Sequence, residues 1–167
     1  DMLKGYMEKN PSAVCLAALS TDAVMEQLQV CLDKKIPVVG FDSGVPNAPE
    51  GSIYATAATN NETAAAVAAD EIYKHEGVKD ALAKGTADKP VIIGVLSQDA
   101  TSDSIVSRTK GFVDKMKALC EEVAPGKVAV QGHEKFNAPV DGATIIIQVQ
   151  IAATTDVTDV SNAATAL

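Results

Sequence analysis

The sequence is poor in aromatic and basic residues, and each shortage excludes a class of protein. Among its 167 residues there is no tryptophan, and there are only three tyrosines and three phenylalanines. Its 14 lysine and arginine residues are outnumbered by 22 aspartate and glutamate residues, which gives a net charge of −8. A nucleic-acid-binding surface needs clustered positive charge against phosphate, so we expect no nucleic acid as a partner.

Cysteine is also scarce. Cys15, Cys31 and Cys120 are odd in number and show no C-x-x-C spacing. Cys15 lies in a short apolar run, and the other two lie in helical patterns. We therefore expect three buried, apolar thiols, with no disulfide framework and no metal site.

Long apolar runs and catalytic motifs are absent. The longest wholly apolar stretches are a handful of residues, whereas a membrane span needs roughly 20.

There is no G-x-G-x-x-G, no G-x-x-x-x-G-K-[ST] and no G-x-S-x-G, so nucleotide-binding and acyl-transfer sites lack their phosphate cradle or nucleophile. His75 lies at a predicted helix end, and His133, in a predicted loop, has no second metal ligand at a useful spacing. We expect no catalytic residue, no cofactor and no metal.

Short apolar runs alternate with amphipathic segments along the chain. The strand-like runs are 13–18, 36–42, 52–58, 90–97, 128–131 and 144–152, and helical spacing covers 2–9, 21–35, 62–75, 101–122 and 156–167. Runs such as 36–42 and 90–97 are apolar on both faces, as the buried strands of parallel sheets are. Strand, helix and strand within about 30 residues make a βαβ unit. The pattern predicts an α/β fold of mainly parallel sheets flanked by helices.

Polar side chains follow the ends of four predicted strands. In parallel sheets, ligands bind beyond the carboxyl ends of the strands. The polar groups there are Ser20 with Thr21, Asp42 with Ser43, the segment 97–104 and the segment 154–156. Hydroxyl and carboxylate groups at these ends predict a polar cleft for a small hydroxylated solute.

The charged residues near these ends have competing interpretations. An unpaired carboxylate is costly to bury, so Asp42 either faces a cleft or caps the turn that follows it. Asp99 and Asp103 frame a paired-acid site, or they place negative charge at a helix N-terminus. Arg108 lies at helical spacing from Asp103 and Ser104, so a surface ion pair competes with a structural role beneath the cleft.

Four segments resemble motifs of the type I periplasmic solute-binding proteins, the ribose-binding-like group. The run 36–44, Ile-Pro-Val-Val-Gly-Phe-Asp-Ser-Gly, resembles the family's signature strand. The run 55–61, followed by a helix of small residues, resembles its hinge crossing, usually written T-D-N. The run 108–112 matches its R-x-x-G-F helix, and 152–156 lies where the family places a ligand-facing strand end.

The resemblance implies an extracytoplasmic receptor with two α/β lobes, located in the periplasm or anchored at the cell surface as a lipoprotein. Such a receptor closes on a small neutral sugar or polyol and delivers it to an ABC permease. Residues 1–57 would be part of the N-terminal lobe, and 58–167 most of the C-terminal lobe. Together with the polar strand ends, the resemblance gives eight candidate ligand-binding residues: Asp42, Ser43, Asn60, Ser97, Asp99, Ser104, Thr155 and Asp156.

The sequence departs from the family pattern at three positions. Asn60 stands where the family usually has the hinge aspartate. Val106 stands where ribose binders have an arginine, and Thr155 stands where they have a stacking phenylalanine. The solute therefore need not be ribose.

Two other classes of function compete with a transport receptor. The effector-binding domain of a LacI-type repressor resembles the same fold and shares R-x-x-G-F, although the run 84–90 lacks the Gly-His pair that is common in those repressors. An enzyme on this scaffold is disfavoured because no nucleophile–base pair is visible.

Both ends of the sequence lie in helical patterns, so we expect a piece of a longer protein, whose apolar sheet edges would favour self-association.

Overall fold

The computed structural model describes residues 2–167, which form two compact units. The first unit contains the chain up to Thr59 together with Thr101–Val106, and the second contains Asn60–Ala100 and Ser107–Leu167. Each unit has a three-stranded parallel sheet with helices packed against it. The predicted α/β fold with parallel sheets is confirmed.

The sheet of the first unit covers one side of a small apolar core. Its strands, in spatial order, are β1 (Val14–Leu16), β2 (Val38–Phe41) and β3 (Ala55–Ala57), and its helical segments are α1 (Met2–Met7), a turn of 3₁₀ helix (Asp22–Val24) and α2 (Met25–Asp33). Leu28 and Cys31 of α2 and Val38 of β2 have no exposed surface, and they pack with Met7 of α1. The core therefore lies between the sheet and these two helices.

The opposite face of this sheet is exposed, which corrects the expectation that β2 is buried on both faces. Along β2, Val38 is buried, whereas Val39 and Phe41 are 42% and 49% exposed. Cys15 of β1 pairs in register with Val39 and is exposed too, so the prediction that all three cysteines are buried is wrong for Cys15. An apolar strand sequence does not show whether another element covers its second face, which is the physical reason for both errors.

The second unit contains the longer sheet and the larger core. Its strands are β4 (Val91–Ser97), β5 (Val128–Gln131) and β6 (Ile145–Ile151), in the spatial order β4-β6-β5. Its helices are α3 (Asn61–Lys74), α4 (Val78–Leu82), α5 (Asp103–Glu121), whose residues up to Val106 belong to the first unit, and α6 (Val157–Thr165). Met116, Ile145 and Ile147 have no exposed surface and form the centre of the core.

Cys31 and Cys120 are buried as predicted. Burial, aided by the nearby Glu121 carboxylate, raises the pKa of Cys120 to about 11. A thiol in this state is protonated and inert at neutral pH. Cys120 therefore acts as an apolar core residue.

The helix and strand positions predicted from the sequence agree with the structure to within a few residues, with one omission. The short helix α4 was not predicted: it begins after Gly77, whose φ of +81° turns the chain directly after α3. A five-residue helix gives too little periodicity to be recognised. Within residues 2–167, no helix is both long and apolar enough to cross a membrane.

Candidate functional site

A cavity of about 330 Å³ lies in the second unit at the carboxyl ends of β4 and β6. The two strands pair in parallel, with Ser97 opposite Ile151, so the residues that follow both strands meet at one edge of the sheet. The cavity is lined by Leu96, Ser97, Gln98, Ala152, Thr154, Thr155 and Val160.

The wall of this cavity is neutral and carries hydrogen-bonding groups. None of its seven side chains is charged, and its polar groups are three hydroxyls and the amide of Gln98. Hydroxyl and amide groups both donate and accept hydrogen bonds, so the exposed Thr155 hydroxyl and Gln98 amide can pair with the hydroxyls of a neutral solute. A charged ligand would find no countercharge on this wall.

Ser97 has its hydroxyl satisfied within the protein. Its side chain is buried, and its Oγ lies 2.7 Å from Oγ1 of Thr109. The same Oγ lies 3.4 Å from the backbone carbonyl of Asp99, to which it donates. Ser97 therefore fixes the turn after β4, and the half-buried Asp99 lies in that turn.

The turn after β6 is held by its own side chains. Asp156 precedes α6, and its carboxylate accepts the N–H of Thr158 at 2.8 Å, as an N-cap does. Thr154 donates its hydroxyl to Asp159 at 2.6 Å and accepts the N–H of Asp156 at 3.1 Å. Between these residues, Thr155 is exposed beside the cavity. Of the two residues predicted in this turn, Thr155 lines the cavity and Asp156 caps the helix.

Asn60 and Arg108 both act at the start of α3. Asn60 accepts the N–H of Thr63 at 3.0 Å and so caps the helix. Arg108 donates to Oδ1 of Asn61 at 2.7 Å, and within residues 2–167 it forms no ion pair with Asp103. The structural role considered for Arg108 therefore fits better than the surface ion pair.

In the first unit, the polar residues after β2 lie in a tight turn. Asp42 has φ +61°, in the left-handed region that aspartate tolerates better than most residues do. Its N–H donates to Ala57 at 2.9 Å, and the N–H of Ser43 donates to the carbonyl of Phe41 at 2.7 Å. The Asp42 side chain is exposed to solvent. This geometry presents the carboxylate at the carboxyl end of β2.

Ser43 and Ser104 point away from solvent into a buried hydroxyl cluster of the first unit. They are 3% and 8% exposed. The Oγ of Ser43 accepts the N–H of Ser104 at 3.3 Å and lies 3.4 Å from Oγ of Ser102. Ser102 and Ser104 have their hydroxyl oxygens 3.1 Å apart. These contacts hold the turn before α5 within the first unit.

The eight predicted residues thus fall into three groups, two of them at strand ends. Asp42, Ser43 and Ser104 lie in the first unit, and Asn60 starts α3. The group at β4 and β6 is Ser97, Asp99, Thr155 and Asp156. Ligand contact by any of the eight stays a prediction.

Gln98 and Thr154 line the cavity but were not among the eight. Both occur in the polar segments that follow strands, and that position was the signal that could have found them. Among residues 2–167, no three His, Cys, Asp or Glu side chains are grouped so as to hold a metal ion.

Comparison with known proteins gives a consistent family assignment. Residues 1–159 match a family model described as a periplasmic binding protein domain. A solved chain from Brachyspira murdochii, described as an ABC transporter, LacI family transcriptional regulator, is 32% identical with a TM-score of 0.70, covering 99% of this chain and 46% of its own. No curated protein sequence matches significantly.

Two further solved structures carry sugars. An ABC transporter solute-binding protein from Agrobacterium vitis with bound D-fucose is 27% identical, with a TM-score of 0.59 over 70% of this chain and 37% of its own. A carbohydrate transporter solute-binding protein from Agrobacterium radiobacter, in complex with D-arabinose, is 18% identical with a TM-score of 0.55 and supports the fold alone. This chain spans less than half the length of these solved chains.

Proposed function

The chain belongs to the periplasmic binding protein domain family, and on that premise we propose that it is part of an extracytoplasmic receptor for a small neutral sugar or polyol. The observation that carries the proposal is the uncharged cavity at the carboxyl ends of β4 and β6, whose wall exposes the Thr155 hydroxyl and the Gln98 amide. The 27% identical relative from Agrobacterium vitis binds D-fucose, a neutral sugar, which supports the same class of solute.

In this proposal the solute is bound from both strand-end groups. Thr155 and Gln98 contact the solute from the cavity, while Ser97 and Asp99 shape the turn beside it. Asp42 accepts hydrogen bonds from the solute hydroxyls with its exposed carboxylate. Residues 1–57 are then part of the N-terminal lobe and 58–167 most of the C-terminal lobe, and capture proceeds by closure of the lobes on the solute.

Delivery of the sugar to an ABC permease completes the proposal, and no catalysis is part of it. The support is the family membership together with the description of the 27% identical Agrobacterium vitis protein as an ABC transporter solute-binding protein. The same membership supports an extracytoplasmic location, in the periplasm or anchored at the cell surface as a lipoprotein, as part of this proposal. An export signal on the intact protein is the direct observation for this location.

Calorimetric titration of the intact protein with D-fucose, D-arabinose and other neutral sugars tests the function, with glucuronate as an anionic control. We expect a neutral sugar to bind and glucuronate not to bind.

Asp42→Ala should weaken binding by about 1–3 kcal/mol, because it removes a charged acceptor of hydroxyl hydrogen bonds. The matched control is Asp88→Ala, which removes an exposed carboxylate that lies before β4. If Asp42→Ala binds the sugar as tightly as Asp88→Ala does, Asp42 is not part of the binding site. If no neutral sugar binds to the intact protein, the proposed function is wrong.

The effector-binding domain of a LacI-type repressor is the second candidate, because the 32% identical chain from Brachyspira murdochii is described in both terms. The two functions differ in what accompanies this domain. A helix-turn-helix segment in the coding sequence upstream, with operator binding that a sugar modulates, is the repressor's signature. An export signal in that place is the receptor's.

A further inference from the structure

Residues Thr101–Val106 pack with the first unit, although both of their neighbours in the chain belong to the second. Ala100 precedes them and Ser107 follows them, and each of these lies in the second unit. The segment contains the turn before α5 and the first turn of that helix. It also falls within 58–167, most of the C-terminal lobe in the proposed function. We call Thr101–Val106 the strap.

The base of the strap is fixed in the second unit. Ser97 lies before the strap and Thr109 after it, and their hydroxyl oxygens are 2.7 Å apart in a buried contact. Arg108, next to Thr109, donates to Oδ1 of Asn61 at 2.7 Å. The residues that flank the strap on both sides are therefore held beside each other, whatever the strap itself contacts.

The contacts of the strap with the rest of the first unit are polar. Thr101 donates its hydroxyl to the carbonyl of Leu19 at 3.1 Å, and its own carbonyl accepts the N–H of Thr21 at 3.3 Å. Farther along, Ser104 donates its N–H to Oγ of Ser43 at 3.3 Å. Within residues 2–167, no residue of the strap belongs to either apolar core. Water can replace such hydrogen bonds when they break, so each contributes little net stability.

The strap also has internal structure that does not depend on these contacts. Val106 donates its N–H to the carbonyl of Ser102 at 2.9 Å, which closes the first turn of α5 within the strap. The Ser104 N–H is one of the donors that a helix leaves free at its start, and Ser43 accepts it from outside the helix. Loss of the contact with Ser43 therefore leaves the turn closed and gives one N–H to water. The strap can detach without unwinding α5.

We propose that the strap is a releasable contact: Thr101–Val106 leaves the rest of the first unit as one piece while its base stays fixed in the second. In the proposed function, the two lobes can then separate only after the strap is released, so the strap favours the form that holds the solute. This consequence for the solute rests on the proposed function, whereas the release itself does not.

Two backbone amides report on the strap without any solute. The N–H groups of Thr21 and Ser104 donate across the two ends of its contact with the rest of the first unit. In hydrogen exchange on the intact protein, both should be protected to a similar degree, and less than the amides of α2. Their exchange should not respond to urea below the unfolding transition, because release of the strap exposes little surface.

Thr101→Val tests whether the strap moves as one piece. This variant loses the hydroxyl that Leu19 accepts, so the protection of the Thr21 and Ser104 amides should fall by the same factor, about 2 to 10 for one neutral hydrogen bond. The matched control is Thr86→Val, which removes the hydroxyl that accepts the N–H of Lys89 in an exposed turn before β4. It should leave both amides unchanged.

Three results would overturn the proposal. If Thr101→Val leaves the Ser104 amide unchanged while α2 shows that the variant is folded, the contacts break separately. If Ser43→Ala, which acts at the other end of the strap, leaves the Thr21 amide unchanged, the same conclusion holds. If both amides exchange only as slowly as α2 and respond to urea as α2 does, the strap opens only when the first unit unfolds.

D-Fucose is the probe for the effect on the solute. When bound to the intact protein it should raise the protection of the Thr21 and Ser104 amides, and it should dissociate about 2 to 10 times faster from Thr101→Val than from Thr86→Val. D-Fucose that binds without changing this protection would contradict the link between strap and solute. Failure of D-fucose to bind would count against the proposed function, and the exchange measurement without solute would still decide whether the strap is released.

Discussion

At the residue scale, Asn60 shows how a departure from a family pattern can leave the structure intact. The hinge motif that the run 55–61 resembles, T-D-N, has aspartate where this chain has asparagine. The Asn60 side chain accepts the N–H of Thr63 at 3.0 Å, so it satisfies one of the free donors at the start of α3. Asparagine and aspartate cap helices about equally well. The exchange therefore alters charge at this position and keeps the cap.

We predict that Asn60→Ala lowers the free energy of unfolding by about 0.5–2 kcal/mol, because the N–H of Thr63 loses its acceptor. Asn60→Asp should match or exceed the parent, since a carboxylate also favours the positive end of the helix dipole. Urea unfolding followed by circular dichroism measures both, with Asn47→Ala in an exposed turn as the matched control. If Asn60→Ala is as stable as the parent, the cap does not contribute to stability.

Neighbouring residues can also differ in environment in a way that sequence does not show. Asp42 and Ser43 both follow β2, and both were predicted to bind a solute. The structure leaves Asp42 exposed and buries Ser43 against Ser104, which is far away in the sequence. Position after a strand predicted the location of both side chains, but tertiary packing decided their directions.

At the element scale, the glycine of the R-x-x-G-F motif has a packing role. A Cβ added to Gly111 of α5 would lie 2.4 Å from the backbone oxygen of Glu62 and 2.5 Å from its Cα. Both are backbone atoms of the first turn of α3, so neither can move aside as a flexible side chain would. The close approach of α5 to α3 therefore requires glycine at this position.

Gly111→Ala should destabilise the protein by about 1–3 kcal/mol, the usual cost of overpacking, because the two helices must separate. Gly5→Ala is the matched control: Gly5 lies in α1, and nothing lies within 4 Å of its added Cβ. That control should be neutral or stabilising by up to about 1 kcal/mol, since alanine favours helices over glycine. Denaturant unfolding compares the two variants. Equal stability of the two would show that α5 and α3 can separate without cost.

The elements that the sequence predicted well are those with strong periodicity. The apolar runs of β4 and β6 and the helical pattern of α5 are long, so their positions follow from the sequence. The sequence does not show which faces of a strand other elements cover. Strand β4 has the sequence of a buried strand, yet Ile92 is half exposed. Coverage of a face depends on elements elsewhere in the chain. The order β4-β6-β5 is equally non-local, because it depends on which strands meet in space.

At the scale of the whole molecule, the two units have separate cores of different size. The first core is centred on Leu28 and Val38 beneath a sheet whose other face is exposed, and the second is centred on Met116 and Ile147. Residues unfold cooperatively when the loss of packing at one place destabilises the whole of the core that they share. Two separate cores, one smaller and half covered, should therefore unfold independently, with the first unit opening at lower denaturant.

Leu28→Ala and Ile147→Ala test this independence, because both side chains have no exposed surface and each belongs to one core. Each truncation should cost about 2–5 kcal/mol in its own unit. Native-state hydrogen exchange should then show faster opening of β1 and α2 in Leu28→Ala with β6 unchanged, and the reverse in Ile147→Ala. If either variant accelerates exchange equally in both units, the chain unfolds as one cooperative body, and the division into two units describes its packing without describing its stability.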